Sequence, residues 1–177
     1  GRSLEDIVQE YGPQEETLVV KWAKQLCDVL HYLHTQNPPI IYRDMKPSNV
    51  MLKPDGNVML IDFGAAREYK ATNLTDTVLL GTRGYAAPEQ YRSDGQSDER
   101  TDIYSLGVMV FRLLSGAEPA MLCPIREICP NISVGIEKIL LKCTRVAKSE
   151  RYQSAAQLYD AFSRYWEYDE SFQRAQK

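Results

Sequence analysis

Ile40-Ile41-Tyr42-Arg43-Asp44-Met45-Lys46-Pro47-Ser48-Asn49-Val50-Met51-Leu52 is the stretch on which this chain turns, with Leu60-Ile61-Asp62-Phe63-Gly64 as its echo. An apolar run delivers Tyr42 to Asn49, where polar groups crowd together. Pro47 has no backbone N–H and disfavours helix in the residue before it, which predicts irregular backbone over 43–49. Val50 to Lys53 and Val58 to Ile61 read as two short strands joined by the turn Pro54-Asp55-Gly56-Asn57. That hairpin returns Asp62 to the loop carrying Asp44, Lys46 and Asn49. Two carboxylates, an amide and an ammonium so gathered suit a divalent cation on a phosphate, beside a hydroxyl to be deprotonated.

D-x-K-P-x-N followed by D-F-G resembles the catalytic loop and metal-binding loop of the protein kinases. The expected H-R-D reads Tyr42-Arg43-Asp44, a departure at a position that supports the loop in that family and does no chemistry. Gly81-Thr82-Arg83-Gly84-Tyr85-Ala86-Ala87-Pro88-Glu89 resembles the G-T-x-x-Y-x-A-P-E that closes the kinase activation segment. Asp102-Ile103-Tyr104-Ser105-Leu106-Gly107 resembles the D-x-W-S-x-G helix that follows, with Tyr for Trp. Lys148 to Tyr152 resembles the family's late R-Y/F turn.

The resemblance implies a mainly α fold with a small β-hairpin, the C-terminal lobe of a protein kinase-like fold, over residues 1–166. Residues 167–177 read as a polar tail. It also implies ATP and Mg²⁺ as cofactors and a protein substrate with a Ser or Thr acceptor. Asp44 takes or orients the hydroxyl proton, Lys46 neutralises the transferred phosphoryl, and Asn49 and Asp62 hold Mg²⁺. Thr82 positions the acceptor. Thr75 and Thr77 are candidates for activation-loop phosphorylation, with Arg43 as the cation reaching the phosphate. Asp102 accepts hydrogen bonds from catalytic-loop amides, and Arg151 pairs with Glu89.

Leu18-Val19-Val20-Lys21 imitates the strand whose Lys grips ATP phosphates in kinases, yet it lies inside a helical pattern and too close to the catalytic loop. The ten glycines never fall at G-x-G-x-x-G spacing. The chain therefore reads as a fragment of a serine/threonine kinase that lacks the N-terminal lobe and is silent in isolation. The alternative is a stand-alone lobe acting as a non-catalytic binding or regulatory module. A small-molecule kinase is disfavoured, because A-P-E and the G-T motif shape a shelf for peptides.

Composition is that of a globular protein, 44% hydrophobic and 25% charged. A net charge of −3 with no Lys/Arg block argues against nucleic acid, and no apolar run approaches membrane-spanning length. Cys27, Cys123, Cys129 and Cys143 lack C-x-x-C spacing and suit idle thiols of a cytoplasmic protein. The motif wording resembles bacterial kinases. Among the elements, apolar spacing predicts a helix over 13–35, another over 101–115, and others over 133–143 and 154–166. His31 and His34, three apart at the end of the first, read as a charged, solvated helix end rather than a metal pair. Residues 92–100 read as a charged surface loop.

Overall fold

Strand β1 (Arg2–Ser3) runs straight into helix α1 (Leu4–Tyr11), started by Ser3, whose Oγ accepts from the Asp6 amide at 3.1 Å. The computed structural model describes residues 1–61, 67–68, 84–168 and 174. Helix α2 (Glu16–His34) begins three residues later than the apolar spacing predicts. The Gln14 amide is committed to the Leu113 carbonyl at 2.8 Å, which keeps the entry segment extended.

Strand β2 (Ile40–Ile41) leads into the irregular loop, which closes with one 3₁₀ turn at Pro47–Asn49. Strands β3 (Val50–Leu52) and β4 (Val58–Leu60) form the expected hairpin, with Val50 opposite Leu60 and Leu52 opposite Val58. Its turn is fastened to α2: Gln25 donates to Asn57 Oδ1 at 2.8 Å and accepts from the Val58 amide at 2.9 Å. Strand β1 adds to the free edge of β3, with Ser3 opposite Met51, making a three-stranded sheet. Two residues are too few to show alternation, so this strand left no mark in the sequence. Strand β5 (Arg67–Glu68) pairs antiparallel with β2.

After the single-turn helix α3 (Pro88–Tyr91) comes helix α4 (Glu99–Ser115), the centre of the core. It starts two residues earlier than predicted because Asp98 caps it: its side chain accepts from the Arg100 amide at 2.9 Å, while Thr101 Oγ1 accepts from the Asp98 amide at 3.1 Å. Gly116 ends it in the left-handed conformation, φ 72°, donating back to the Arg112 carbonyl at 2.8 Å. Helix α5 (Val134–Cys143) and helix α6 (Ala155–Ser163) follow, then a helical turn over 165–168. The last pattern was predicted as one helix to 166; it breaks at Arg164.

Helix α2 packs on α6, and α4 lies between α2 and α5. Trp22, Leu26, Leu106, Phe111, Ile139 and Leu140 are all buried. Burial also pushes the Cys27 and Cys143 thiols well above the usual range, so neither offers a thiolate. No described helix is long and apolar enough to cross a membrane.

The crossing of α4 and α5 is tightest at Gly107, where an added Cβ would come within 2.5 Å of Cys143 Cβ. Two effects oppose each other in Gly107→Ala. Helix propensity favours Ala by about 1 kcal/mol, whereas overpacking a rigid crossing costs about 1–3 kcal/mol. The variant should melt at lower temperature than the wild type by circular dichroism. An unchanged or raised melting temperature would mean that the two helices part at no cost.

Candidate active site

The catalytic-type loop is held from below by one carboxylate. Asp102, in the first turn of α4 and wholly buried, accepts from the Tyr42 amide at 2.8 Å and the Arg43 amide at 2.7 Å. Arg43 sits between these anchors at φ 73°, a left-handed conformation unfavourable for any residue with a Cβ. Its carbonyl is fixed too, accepting from Gln90 Nε2 at 3.1 Å. Two charge-assisted hydrogen bonds on one side and an amide on the other hold the strained residue in place.

Asp102 has a third partner that the sequence reading missed. His34 Nε2 lies 2.7 Å from Asp102 Oδ2, and the ring is buried. A carboxylate only accepts, so Nε2 carries the proton. His31 is exposed at the same helix end, so the two residues predicted alike fall in opposite environments. The reason is packing: the last turn of α2 abuts the first turn of α4, where a carboxylate needs a donor. Apolar residues at 26, 30 and 33 with His at 34 were the available signal.

Within the loop, Asn49 Nδ2 lies 2.9 Å from the Asp44 carbonyl and 3.1 Å from Asp44 Oδ2. Both are acceptors, so the amide nitrogen faces Asp44 and Oδ1 of Asn49 points away from it. Lys46 Nζ stands 3.6 Å from Asp44 Oδ2, with both side chains partly open to solvent. Tyr42 is fully buried, and its hydroxyl donates to the Ile61 carbonyl, immediately before Asp62. The Ile61 amide bonds the Asn49 carbonyl at 2.9 Å, so the two motifs meet through their backbones. Asp62, Thr75, Thr77 and Thr82 lie outside the described residues.

Arg43 is only 5% exposed, and its Nη1 donates to Ser97 Oγ at 3.1 Å. Ser97 is itself wholly buried, so the surface loop expected over 92–100 is exposed only at 92–94 and turns inward after that. Lys148 pins that segment by donating to the Gln96 carbonyl at 2.8 Å.

At the far end of the site Arg151 meets Glu89 through both guanidinium nitrogens, Nη1 to Oε2 at 2.8 Å and Nη2 to Oε1 at 2.9 Å. Its remaining N–H groups go to the carbonyls of Arg145, Arg100 and Val146, so all five donors are used. Thr101 Oγ1 supplies Glu89 with a further hydrogen bond at 2.8 Å.

Residues 1–173 match the family described as protein kinase domain. The chain belongs to the protein kinase family. Serine/threonine-protein kinase PknL of Mycobacterium tuberculosis is 40% identical over 120 residues, 67% of this chain and 29% of the relative. Serine/threonine-protein kinase PknB of Mycobacterium leprae is 34% identical over 175 residues, 89% of this chain and 28% of the relative. A probable serine/threonine-protein kinase of Clostridium acetobutylicum is 28% identical over 194 residues, 98% of this chain. The kinase chain thus spans under a third of the length of these relatives, here 29% of the last. Its helical architecture and small antiparallel sheet are those of the helical lobe of the kinase fold.

Breaking a buried pair from one side leaves the other charge uncompensated, at about 3–5 kcal/mol. Arg151→Ala should therefore lower the melting temperature of the kinase chain far more than Arg164→Ala, whose side chain is 57% exposed beside Asp160. Equal shifts in the two thermal melts would show that the Glu89 pair contributes no more than a surface contact.

Proposed function

We propose that this chain carries phosphotransfer machinery of a protein serine/threonine kinase, passing the γ-phosphoryl of ATP to Ser or Thr hydroxyls of proteins. The reading rests on the cluster of Asp44, Lys46 and Asn49 on a loop held by Asp102. Asn49 Nδ2 is committed to Asp44, which turns an amide oxygen toward the remaining space. An amide oxygen and a carboxylate are the hard donors that Mg²⁺ prefers, so Asn49 and Asp62 would hold it. When bound, Mg-ATP supplies the phosphoryl group and spreads the charge that develops on it.

Asp44 accepts or orients the proton of the acceptor hydroxyl. Lys46, two residues on as in serine/threonine kinases, faces the same carboxylate and offsets charge on the phosphoryl. Thr82 helps place the acceptor. A phosphate on Thr75 or Thr77 would take over the Arg43 guanidinium from Ser97, through stronger charge-assisted bonds.

In the full-length protein, Asp44→Asn should lower phosphotransfer by roughly two to four orders of magnitude while nucleotide binding persists. Asp62→Asn should also weaken Mg²⁺-dependent nucleotide binding. Wild-type turnover in the Asp44→Asn protein would remove Asp44 from the reaction. These 177 residues alone, lacking half of the phosphate clamp, are expected to be silent. Calorimetry should detect no ATP binding at millimolar nucleotide. Phosphate found on Thr75 or Thr77 by mass spectrometry, after incubating the purified chain with Mg-ATP, would contradict that.

A further inference from the structure

Beside the catalytic loop stands a carboxylate that phosphotransfer does not use. Gln90 joins the loop to segment 84–87: it accepts from the Ala87 amide at 2.9 Å and donates to the Arg43 carbonyl at 3.1 Å. Segment 84–87 faces the 3₁₀ turn Pro119–Met121 across a cavity of about 610 Å³, lined by Gly84, Tyr91, Glu118, Pro119 and Ala120. Its wall is closely fitted. Gly84 holds φ 92°, its amide donates to Tyr91 Oη at 3.1 Å, and a Cβ there would come within 2.8 Å of Pro119 Cβ. Among the described residues, ring, prolyl and methyl groups make most of the lining, and Glu118, 72% exposed, is the one charged side chain.

Glu118 shares its cation with a second carboxylate. Arg112, on α4 below, is nearly buried and donates to Glu5 Oε1 and to the Gly116 carbonyl, both at 2.6 Å. It reaches Glu118 only at 3.5 Å. Among the described residues one guanidinium thus stands between two carboxylates, and the shielded Glu5 holds the shorter contact. The neighbouring Tyr85 phenol is raised above its usual range, by burial first and then by the charge of Glu5.

A side chain with a long aliphatic stem and a cationic head fits such a place. Its stem would lie along Tyr91, Pro119 and Ala120, which line the cavity, and its head would rest on Glu118. We propose that this cavity is a subsite for a lysine or arginine flanking the acceptor Ser or Thr of a protein substrate, with Glu118 as the specificity-determining residue. This rests on the kinase reading of the preceding subsection.

The test uses labelled alanine-based peptides with one Ser, carrying Arg at each flanking position in turn, and counterparts with norleucine there. Norleucine keeps the stem and drops the charge. Fluorescence anisotropy with the 177-residue chain should show one position at which Arg binds tighter than norleucine. The expected margin is about five-fold, as for a favourable exposed ion pair. It should vanish in Glu118→Gln and shrink as salt is raised. Equal behaviour of the two peptides at every position, absence of binding included, would overturn the proposal. So would a margin that survives in Glu118→Gln. Phosphorylation of the same peptides by the full-length protein separates the two readings. Discrimination in binding without any phosphotransfer would sink the kinase reading and leave the cation subsite, whereas phosphotransfer indifferent to Glu118→Gln would sink the subsite alone.

Discussion

A buried carboxylate facing two backbone amides is the constraint on which the rest of this molecule depends. Asp102 could not lie at zero exposure without partners, since an isolated buried charge is far too costly. Its partners are the amides of Tyr42 and Arg43 and the ring of His34. Those same bonds hold Arg43 in a left-handed conformation that costs roughly 1–2 kcal/mol by itself. The carboxylate therefore does two jobs: it satisfies its own burial, and it fixes the direction in which the chain delivers Asp44.

Around that anchor α4 serves as a frame. Its first turns hold Thr101 against Glu89, Asp102 against the Tyr42–Arg43 backbone, and Ser105 Oγ against the Tyr85 carbonyl at 2.7 Å. Three polar inward positions of one helix thus fix both the loop and segment 84–89. Asp98 caps the helix there, and from Thr101 to Leu114 every residue but Tyr104 is buried. The backbone that carries Asp44, Lys46 and Asn49 is thereby held both from α4 and from Gln90.

What the sequence revealed follows from the range of the physics involved. The β3–β4 hairpin and helices α2, α4 and α5 are written in local signals: Pro54-Asp55-Gly56-Asn57, capping residues and apolar spacing. Strand β1 pairs with residues 48 and 50 positions away and His34 with one 68 away, which no local pattern encodes. Helix α2 began late because Gln14 bonds Leu113, again a distant partner. In the site, Asp44, Lys46 and Asn49 stood out through type and spacing. The facing of Glu89 by Arg151 was visible only through resemblance to a family, since nothing in either neighbourhood names the other.

The distances along the chain between Asp102 and its partners also bear on the order of folding. Its three contacts close loops of 60, 59 and 68 residues. Contacts of such separation carry a larger loop-closure cost than the local ones of hairpin and helix, which places them after those. The hairpin and the helices can appear first from local interactions, but the bend at Arg43 has nothing to hold it until α2 and α4 have docked. A half-folded chain would thus possess its secondary structure and still present Asp44 in no fixed direction. The loop geometry is acquired together with the finished lobe, as one of the last things the chain does.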